Sequence, residues 1–226
     1  MYKNQHFKFS PIILAIPLYF VLFLWLVFWF EVKFGVNLNK YGIYPRDLKG
    51  LRGIIFSPFI HGDIKHLYHN SIPLFVLFFS LYYFYRKIAL KIFIYGTLIT
   101  GILTWSIARE SFHIGASGIV YLLFSFIFFS GIIRKNYRLI AVSLMVIFLY
   151  GSMVWYLLPV KEGVSWEGHL SGFIVGLAFA FYYRKQGLQI FKYEWEKENY
   201  QKDDFDLLFD DEGNFNPNNS EADKSE

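Results

Sequence analysis

The longest run of this sequence without Asp, Glu, Lys or Arg is residues 111–133, which read SFHIGASGIVYLLFSFIFFSGII. A helix needs about 20 apolar residues to cross a bilayer, and this run is long enough to do so. The chain of 226 residues is 55% hydrophobic and 22% aromatic, which is more than a water-soluble globule of this size needs. Five further charge-free runs lie at residues 9–30, 66–85, 92–108, 139–160 and 168–183. The sequence therefore predicts an all-α membrane protein, a bundle of six transmembrane helices.

The charged residues predict how this bundle is oriented. Residues 194–226 hold 12 of the 18 acidic side chains and only 3 of the 22 basic ones, so the rest of the chain is strongly basic. By the positive-inside rule, ends of spans that carry only basic clusters are cytoplasmic, which places both termini in the cytoplasm. Because these bases flank membrane spans, they indicate contact with the lipid bilayer and not a nucleic-acid partner. The clusters fall at alternate span ends: Lys3 and Lys8; Arg86, Lys87 and Lys91; Arg134, Lys135 and Arg138; Arg184, Lys185 and Lys192.

Three regions follow from this pattern. Residues 1–10 are expected to form a cytoplasmic N-terminus, residues 11–185 the six-span domain with its core at 59–183, and residues 186–226 a disordered acidic cytoplasmic tail. The connection between the first two spans, residues 31–65, is too apolar for a solvated linker. We expect it to be an interfacial element with short helices in the outer headgroup layer. The chain has no cysteine, which excludes disulfides, thiolate metal ligands and a cysteine nucleophile.

Polar side chains open the second, fourth and sixth charge-free runs. His66 and Asn70 stand at the start of the second, Ser117 near the start of the fourth, and His169 at the start of the sixth. These three spans enter the membrane from the outer face, so their polar groups are expected at a similar depth, where they meet if the helices pack together. An ionisable group inside a membrane helix is costly, and each one is therefore a hypothesis of function.

Small residues favour that packing. On the sixth span, Gly172 and Gly176 follow His169 at helical spacing, and small residues in this pattern let membrane helices approach closely. On the fourth span, Tyr121 lies one turn after Ser117 on the same face. The sequence therefore predicts close contact between the fourth and sixth spans.

Ser117 and His169 together permit acyl transfer. Gly115 and Gly118 leave the serine with little bulk beside it. At the start of a helix, the unpaired N–H groups and the helix dipole favour an oxyanion. A serine hydroxyl is a weak nucleophile until a base takes its proton, and His169 is the candidate base.

A tetrahedral intermediate also needs hydrogen-bond donors. The candidates are the backbone N–H groups of Ser117 and Ala116 and the side chains of Asn70 and His66. No carboxylate lies in the outer portion of the second, fourth or sixth run to orient the imidazole. The sequence thus predicts a Ser–His dyad, with the ring of Tyr121 packed against the base.

Three motifs of the chain resemble those of the rhomboid family of intramembrane serine proteases. Residues 61–70, HGDIKHLYHN, resemble the family's HxxxxHxxxN, residues 115–118, GASG, resemble GxSG, and residues 168–172, GHLSG, resemble GHxxG. Three motifs on separate spans, in the family's order, are far more specific than any one of them alone. One departure is that Leu51-Arg52-Gly53 stands where the family often has Trp-Arg in its first loop.

The resemblance implies a role for each matching residue. Ser117 would be the nucleophile and His169 the general base, while His66 and Asn70 would line the oxyanion hole. It also implies a serine endopeptidase, without metal or other cofactor, that cleaves single-pass transmembrane protein substrates near the outer end of their helix. We expect a multi-pass protein of the bacterial plasma membrane, and the sequence does not indicate its oligomeric state. The supporting positions would be His61, Gly115, Gly118, Tyr121, Gly172 and Gly176.

Three other functions were weighed against this one. A zinc intramembrane protease would carry HExxH on a helix, and the chain has no such motif. A non-catalytic rhomboid-like binding protein has no chemical need for both a serine and a histidine. A metal transporter is the third alternative, because imidazoles suit several transition metals. Against it, the sequence shows no intramembrane carboxylates and no internal repeats of the kind that mark transporters. Its ligands would be His61, His66, His69, His113 and His169.

Overall fold

The computed structural model describes residues 10–149, 155–186, 205–209 and 212–215. The chain divides into two compact units, residues 1–189 and residues 190–226. Helices make up the first unit. Two isolated β-bridges, Ile43 with His113 and Phe209 with Phe215, are the extended pairings found within the described ranges.

Six long helices form the first unit. They are α1 (Pro11–Phe34), α2 (Ile64–Tyr85), α3 (Ala89–Ile107), α4 (Ser117–Ile133), α5 (Tyr137–Leu149) and α6 (Trp166–Tyr182). Each overlaps one charge-free run of the sequence, and their described ends agree within a few residues except at the start of α4 and the last described residue of α5. By length and composition, α1 and α3 are long and apolar enough to cross a membrane, and α4 and α5 are shorter apolar helices.

Local signals account for several helix ends. Pro11 occupies the first turn of α1, where its missing N–H costs nothing. Gly35 ends that helix with φ of 61°, a left-handed conformation that suits glycine. Asp63 caps α2, because its carboxylate accepts a hydrogen bond from the His66 backbone N–H at 2.9 Å. This hydrogen bond lowers the pKa of the Asp63 carboxyl.

The first loop, residues 35–63, is folded back on the helices. It contains four short helical segments: Asn39–Tyr41, Leu48–Arg52, Gly53–Phe56 and Ser57–Phe59. Ile43 and His113 exchange two backbone hydrogen bonds, at 3.0 and 2.8 Å, which pair this loop with the α3–α4 loop, residues 108–116.

The centre of the bundle is α4, in which eleven of 17 residues are buried. It packs most closely against α6, where glycine replaces a side chain at the contact. A Cβ at Gly172 would lie 2.1 Å from the carbonyl oxygen of Gly118, and one at Gly176 would lie 2.3 Å from that of Leu122. The small-residue face of the sequence thus lies against α4, as expected from its spacing.

The second unit is described only in part. A short helical turn spans Asp206–Leu208, and the Phe209 ring contacts the rings of Phe205 and Phe215. The disorder expected for residues 186–226 falls mostly on residues outside the described ranges.

Candidate active site

Ser117 is the first residue of α4, preceded by a glycine in a conformation that other residues rarely adopt. Gly115 has φ of 104°, and a Cβ there would lie 2.7 Å from the His66 ring. The backbone N–H of Gly115 donates to the Ser57 carbonyl at 2.8 Å. This turn places the serine at the N-terminal end of α4, beside the residues that begin α2.

His169 lies in the first turn of α6 and contacts the serine directly. Its Nε2 is 2.8 Å from Ser117 Oγ, and its Nδ1 is 2.8 Å from the backbone carbonyl of Tyr156. A carbonyl oxygen only accepts, so Nδ1 carries the proton of the neutral ring and donates it to Tyr156. Nε2 is then the acceptor, and the serine hydroxyl donates to it. The geometry selects the tautomer in which the imidazole faces the serine with a free lone pair.

Tyr121 stacks on this imidazole, as the sequence predicts. The two ring centroids are 4.3 Å apart with an interplanar angle of 16°, and both side chains are buried. One turn further along α4, Ser125 Oγ donates to the Phe173 carbonyl at 2.7 Å, which joins α4 to α6 below the ring. The His169 side chain is thus fixed by a hydrogen bond at each nitrogen and by a stacked ring.

Asn70 and His66 lie across from the serine on α2. Asn70 is 5% exposed, and its Nδ2 is buried without a hydrogen-bond partner in the described part of the chain. That nitrogen is 3.6 Å from the position a Cβ would take at Gly115, and the His66 ring is nearer still. A buried amide donor without a partner is costly, and one that faces the turn before Ser117 is available to a group bound there.

His61 lies beneath the same turn, at the end of the first loop. Its Nε2 is 3.5 Å from the backbone nitrogen of Ala116, and its ring contacts that of His66 with centroids 5.1 Å apart. Burial, together with the neighbouring His66 ring, lowers the pKa of His61 to about 3. His61 is therefore neutral near pH 7 and packs as an uncharged ring under the Ala116–Ser117 peptide.

Gly118 and Gly172 meet directly behind the serine. The close approach of α6 to the Gly118 carbonyl brings the His169 side chain within hydrogen-bond reach of Ser117. The structure thus brings the predicted site residues together around the N-terminal turns of α2, α4 and α6, with Gly176 further along α6 against Leu122.

Comparison with known proteins agrees with this arrangement. The sequence model of the Rhomboid domain matches residues 49–186, which is more than half of the chain. The chain belongs to the rhomboid family. The matched residues extend from the Leu48–Arg52 segment to just beyond the end of α6, and so include every residue of the rhomboid site described above.

Mycobacterial proteins are among the relatives of this rhomboid. A protein of Mycobacterium tuberculosis, named only as uncharacterized, is 36% identical over 176 residues, covering 72% of this chain and 71% of its own. A protein of Mycobacterium bovis matches equally well. An uncharacterized protein of Mycobacterium leprae is 35% identical over 159 residues, covering 64% of this chain and 61% of its own. Rhomboid proteases act on membrane proteins within the bilayer, so the family identifies this chain as a membrane protein and an intramembrane protease.

Several features of the rhomboid site are not apparent from the sequence. The partner of His169 Nδ1 is a backbone carbonyl, which no motif identifies. Glu167 lies in the first turn of α6, where the sequence indicated only a boundary charge; it is buried and pairs with Arg109 at 3.2 Å. The carboxylate therefore contacts an arginine and not the imidazole.

A small, partly open cavity of about 40 Å³ lies beside Ser117, between α3, α4, the start of α6 and the first loop. Hydroxyl groups line it, including those of Thr97 and Thr100, whose Oγ1 atoms are buried without a partner in the described part of the chain. A polar cavity of this kind can hold water.

The histidines are distributed differently from what a metal site needs. His61 and His66 are adjacent, whereas His113 lies on the α3–α4 loop and His69 is exposed on α2. Within the described ranges, no group of three or more His, Asp or Glu side chains is placed to hold a metal ion.

Proposed function

We propose that this rhomboid is a serine endopeptidase that cleaves single-pass transmembrane proteins near the outer end of their helix. Ser117 is the nucleophile and His169 the general base. The observation that carries the proposal is the 2.8 Å contact between His169 Nε2 and Ser117 Oγ, with Nδ1 bonded to the Tyr156 carbonyl.

The first step is attack of Ser117 Oγ on the scissile carbonyl carbon, while the hydroxyl proton passes to His169 Nε2. The imidazolium then returns this proton to the leaving amine, and the acyl group remains on the serine as an ester. A water molecule that loses its proton to His169 hydrolyses the ester and restores the serine. No cofactor takes part in this sequence.

An oxyanion is the group that Asn70 Nδ2, which is buried without a partner in the described part of the chain, would receive. Asn70 Nδ2 and the His66 ring lie beside the turn at Gly115, and together with the Ser117 backbone N–H they would donate to the oxygen of a tetrahedral intermediate bound there. Because they are fixed before substrate binds, these donors require little reorganisation at the transition state.

The six long helices are proposed as six membrane spans, with both termini in the cytoplasm of a bacterial cell. The basic clusters at the ends of alternate helices support this orientation. The site then lies just below the outer surface, which is why the substrate helix is cut near its outer end. Residues 11–185 form the protease domain, with the first loop in the outer headgroup layer. Residues 1–10 and the acidic tail, residues 186–226, flank it in the cytoplasm.

Labelling with a fluorophosphonate probe tests the dyad. The purified protein in detergent, with Ser117→Ala and His169→Ala beside it, is incubated with the probe and then assayed on a reconstituted model transmembrane substrate. We expect labelling and cleavage in the wild type alone. Cleavage by Ser117→Ala at the wild-type rate would refute the proposed nucleophile. A folded wild type that neither labels nor cleaves any of a panel of transmembrane substrates would favour a non-catalytic binding role.

A further inference from the structure

A buried ion pair joins the α3–α4 loop to the start of α6. The Glu167 side chain is 3% exposed and that of Arg109 is 44% exposed. Arg109 Nη1 donates to both carboxylate oxygens, at 3.2 and 3.3 Å, and the Arg109 backbone N–H donates to one of them at 3.2 Å. Arg109 Nη2 also donates to the Val164 carbonyl at 2.7 Å. Arg109 thus donates hydrogen bonds both to the Glu167 carboxylate and to the backbone just before α6.

A second contact joins the same two segments. His113 Nδ1 lies 2.6 Å from Ser165 Oγ, and its Nε2 lies 3.0 Å from the Arg109 carbonyl. The carbonyl accepts from Nε2, so Ser165 donates its hydroxyl proton to Nδ1. Ser165 is the N-cap residue of α6, yet its side chain bonds no backbone N–H of that helix. The Ser165 hydroxyl bonds His113 on the other segment instead of making the usual capping hydrogen bond.

Along the chain, both contacts lie a few positions before Ser117 and His169. His113 is four residues before Ser117, and Ser165 is four residues before His169, so both pairs are separated by 52 positions. The ion pair lies on the same two segments, with Glu167 two residues before His169. The distance between the serine and the histidine therefore depends on how these segments are held together.

We propose that the Arg109–Glu167 and His113–Ser165 contacts position the dyad, holding Ser117 Oγ and His169 Nε2 at hydrogen-bond distance. This inference rests on the proposed function, because it assigns Arg109 and Glu167 to the geometry of that reaction. They are positioning residues and contact no reacting atom. Because a buried carboxylate is stable only with such a partner, the ion pair stabilises the one arrangement in which the two segments are in contact.

The decisive variant is Glu167→Gln, with Glu110→Gln as its matched control. Glu110 is the neighbour of Arg109 and pairs with Arg46 at 3.7 Å, but both side chains are exposed, so its loss leaves the two segments joined. In Glu167→Gln one acceptor oxygen becomes an amide donor that faces the guanidinium. We expect kcat to fall about 10- to 100-fold with little change in KM, since a misplacement of about 1 Å can cost 10²-fold. Labelling by the fluorophosphonate probe should slow by a similar factor, whereas Glu110→Gln should match the wild type in both assays.

Conservative replacement separates positioning from stability. Arg109→Gln leaves the Glu167 carboxylate without its cation and is expected to lower thermal stability. Arg109→Lys keeps the charge but cannot donate to the carboxylate and to the Val164 carbonyl with one planar group. We expect Arg109→Lys to fold and to recover part of the kcat that Arg109→Gln loses, with KM again unchanged. If folded Glu167→Gln and Arg109→Lys both cleave with the wild-type kcat, the inference is overturned. If Ser117→Ala cleaves at the wild-type rate, the proposed function is overturned instead.

Discussion

Replacing Gly172 by alanine tests whether the contact between α4 and α6 sets the geometry of the site. The added Cβ would lie 2.1 Å from the Gly118 carbonyl oxygen, where ordinary contact begins at 3.4 Å, so the helices must separate by about 1.3 Å. If His169 moves with its helix, the 2.8 Å bond to Ser117 lengthens to about 4 Å, beyond hydrogen-bond range. Overpacking of this kind costs about 1–3 kcal/mol. Alanine favours helix over glycine by about 1 kcal/mol, which offsets part of that loss.

The expected result is a folded but less stable protein whose kcat falls by about 10²-fold or more. Cleavage of a reconstituted transmembrane substrate and the rate of fluorophosphonate labelling measure the effect, with thermal unfolding in detergent as the stability readout. Gly62→Ala is the control, because a Cβ there meets only Ile114 Cδ1 at 3.8 Å. Gly176→Ala overlaps Leu122 but lies a turn further from the serine, so we expect similar destabilisation and a smaller rate loss. Wild-type kcat in Gly172→Ala would refute the reasoning.

Four other predictions concern the site. Asn70→Ala should lower the cleavage rate about 10²- to 10³-fold, the usual effect of one oxyanion donor; a larger loss than that of Ser117→Ala would mean that the roles are assigned wrongly. Cleavage should decline on acidification, because the base must be neutral, and EDTA should leave it unchanged; a large loss with the chelator would favour a metal mechanism. The pKa of His61 falls from 6.5 in the unfolded chain to about 3, so the unfolded state binds the extra proton below pH 6.5. Its contribution to stability is then lost by about 1.4 kcal/mol per pH unit as the pH falls from 6.5 towards 3, and His61→Gln should flatten that dependence in thermal unfolding.

The sequence predicted the helices well because charge-free length is a direct consequence of the apolar environment. It was less accurate at their ends, where local hydrogen bonds decide. The fourth run begins at residue 111, but α4 begins at Ser117, because the preceding residues pair with the first loop through Ile43. The fifth run extends to residue 160; within it the structure describes α5 as far as Leu149 and a short 3₁₀ helix at Trp155–Leu157. An apolar run does not distinguish an α-helix from a short 3₁₀ helix, since both conformations can be equally apolar.

The catalytic candidates were predictable because they are side chains with distinctive chemistry in distinctive motifs. Two features that support them were not: the partner of His169 Nδ1 and the ion pair of Arg109 with Glu167. The Tyr156 carbonyl is a backbone atom, present at every position, so nothing in the sequence marks it as the partner of His169. Glu167 and Arg109 are 58 positions apart, and their pairing depends on how the α3–α4 loop folds against α6. Tertiary contacts of this kind leave no local pattern.

The choice of a carbonyl to orient His169 has a physical reason in this environment. In a Ser–His–Asp triad the third group fixes the imidazole tautomer and also stabilises the imidazolium. A carboxylate placed there would be a second buried charge inside a membrane protein, and buried charges are costly unless paired. This chain buries Glu167 only with Arg109 beside it. The Tyr156 carbonyl is neutral and fixes the same tautomer without that cost. Its partial charge stabilises the imidazolium less than a carboxylate would, so in the proposed mechanism the stacked ring of Tyr121 and the donors of the oxyanion hole carry more of the catalytic effect.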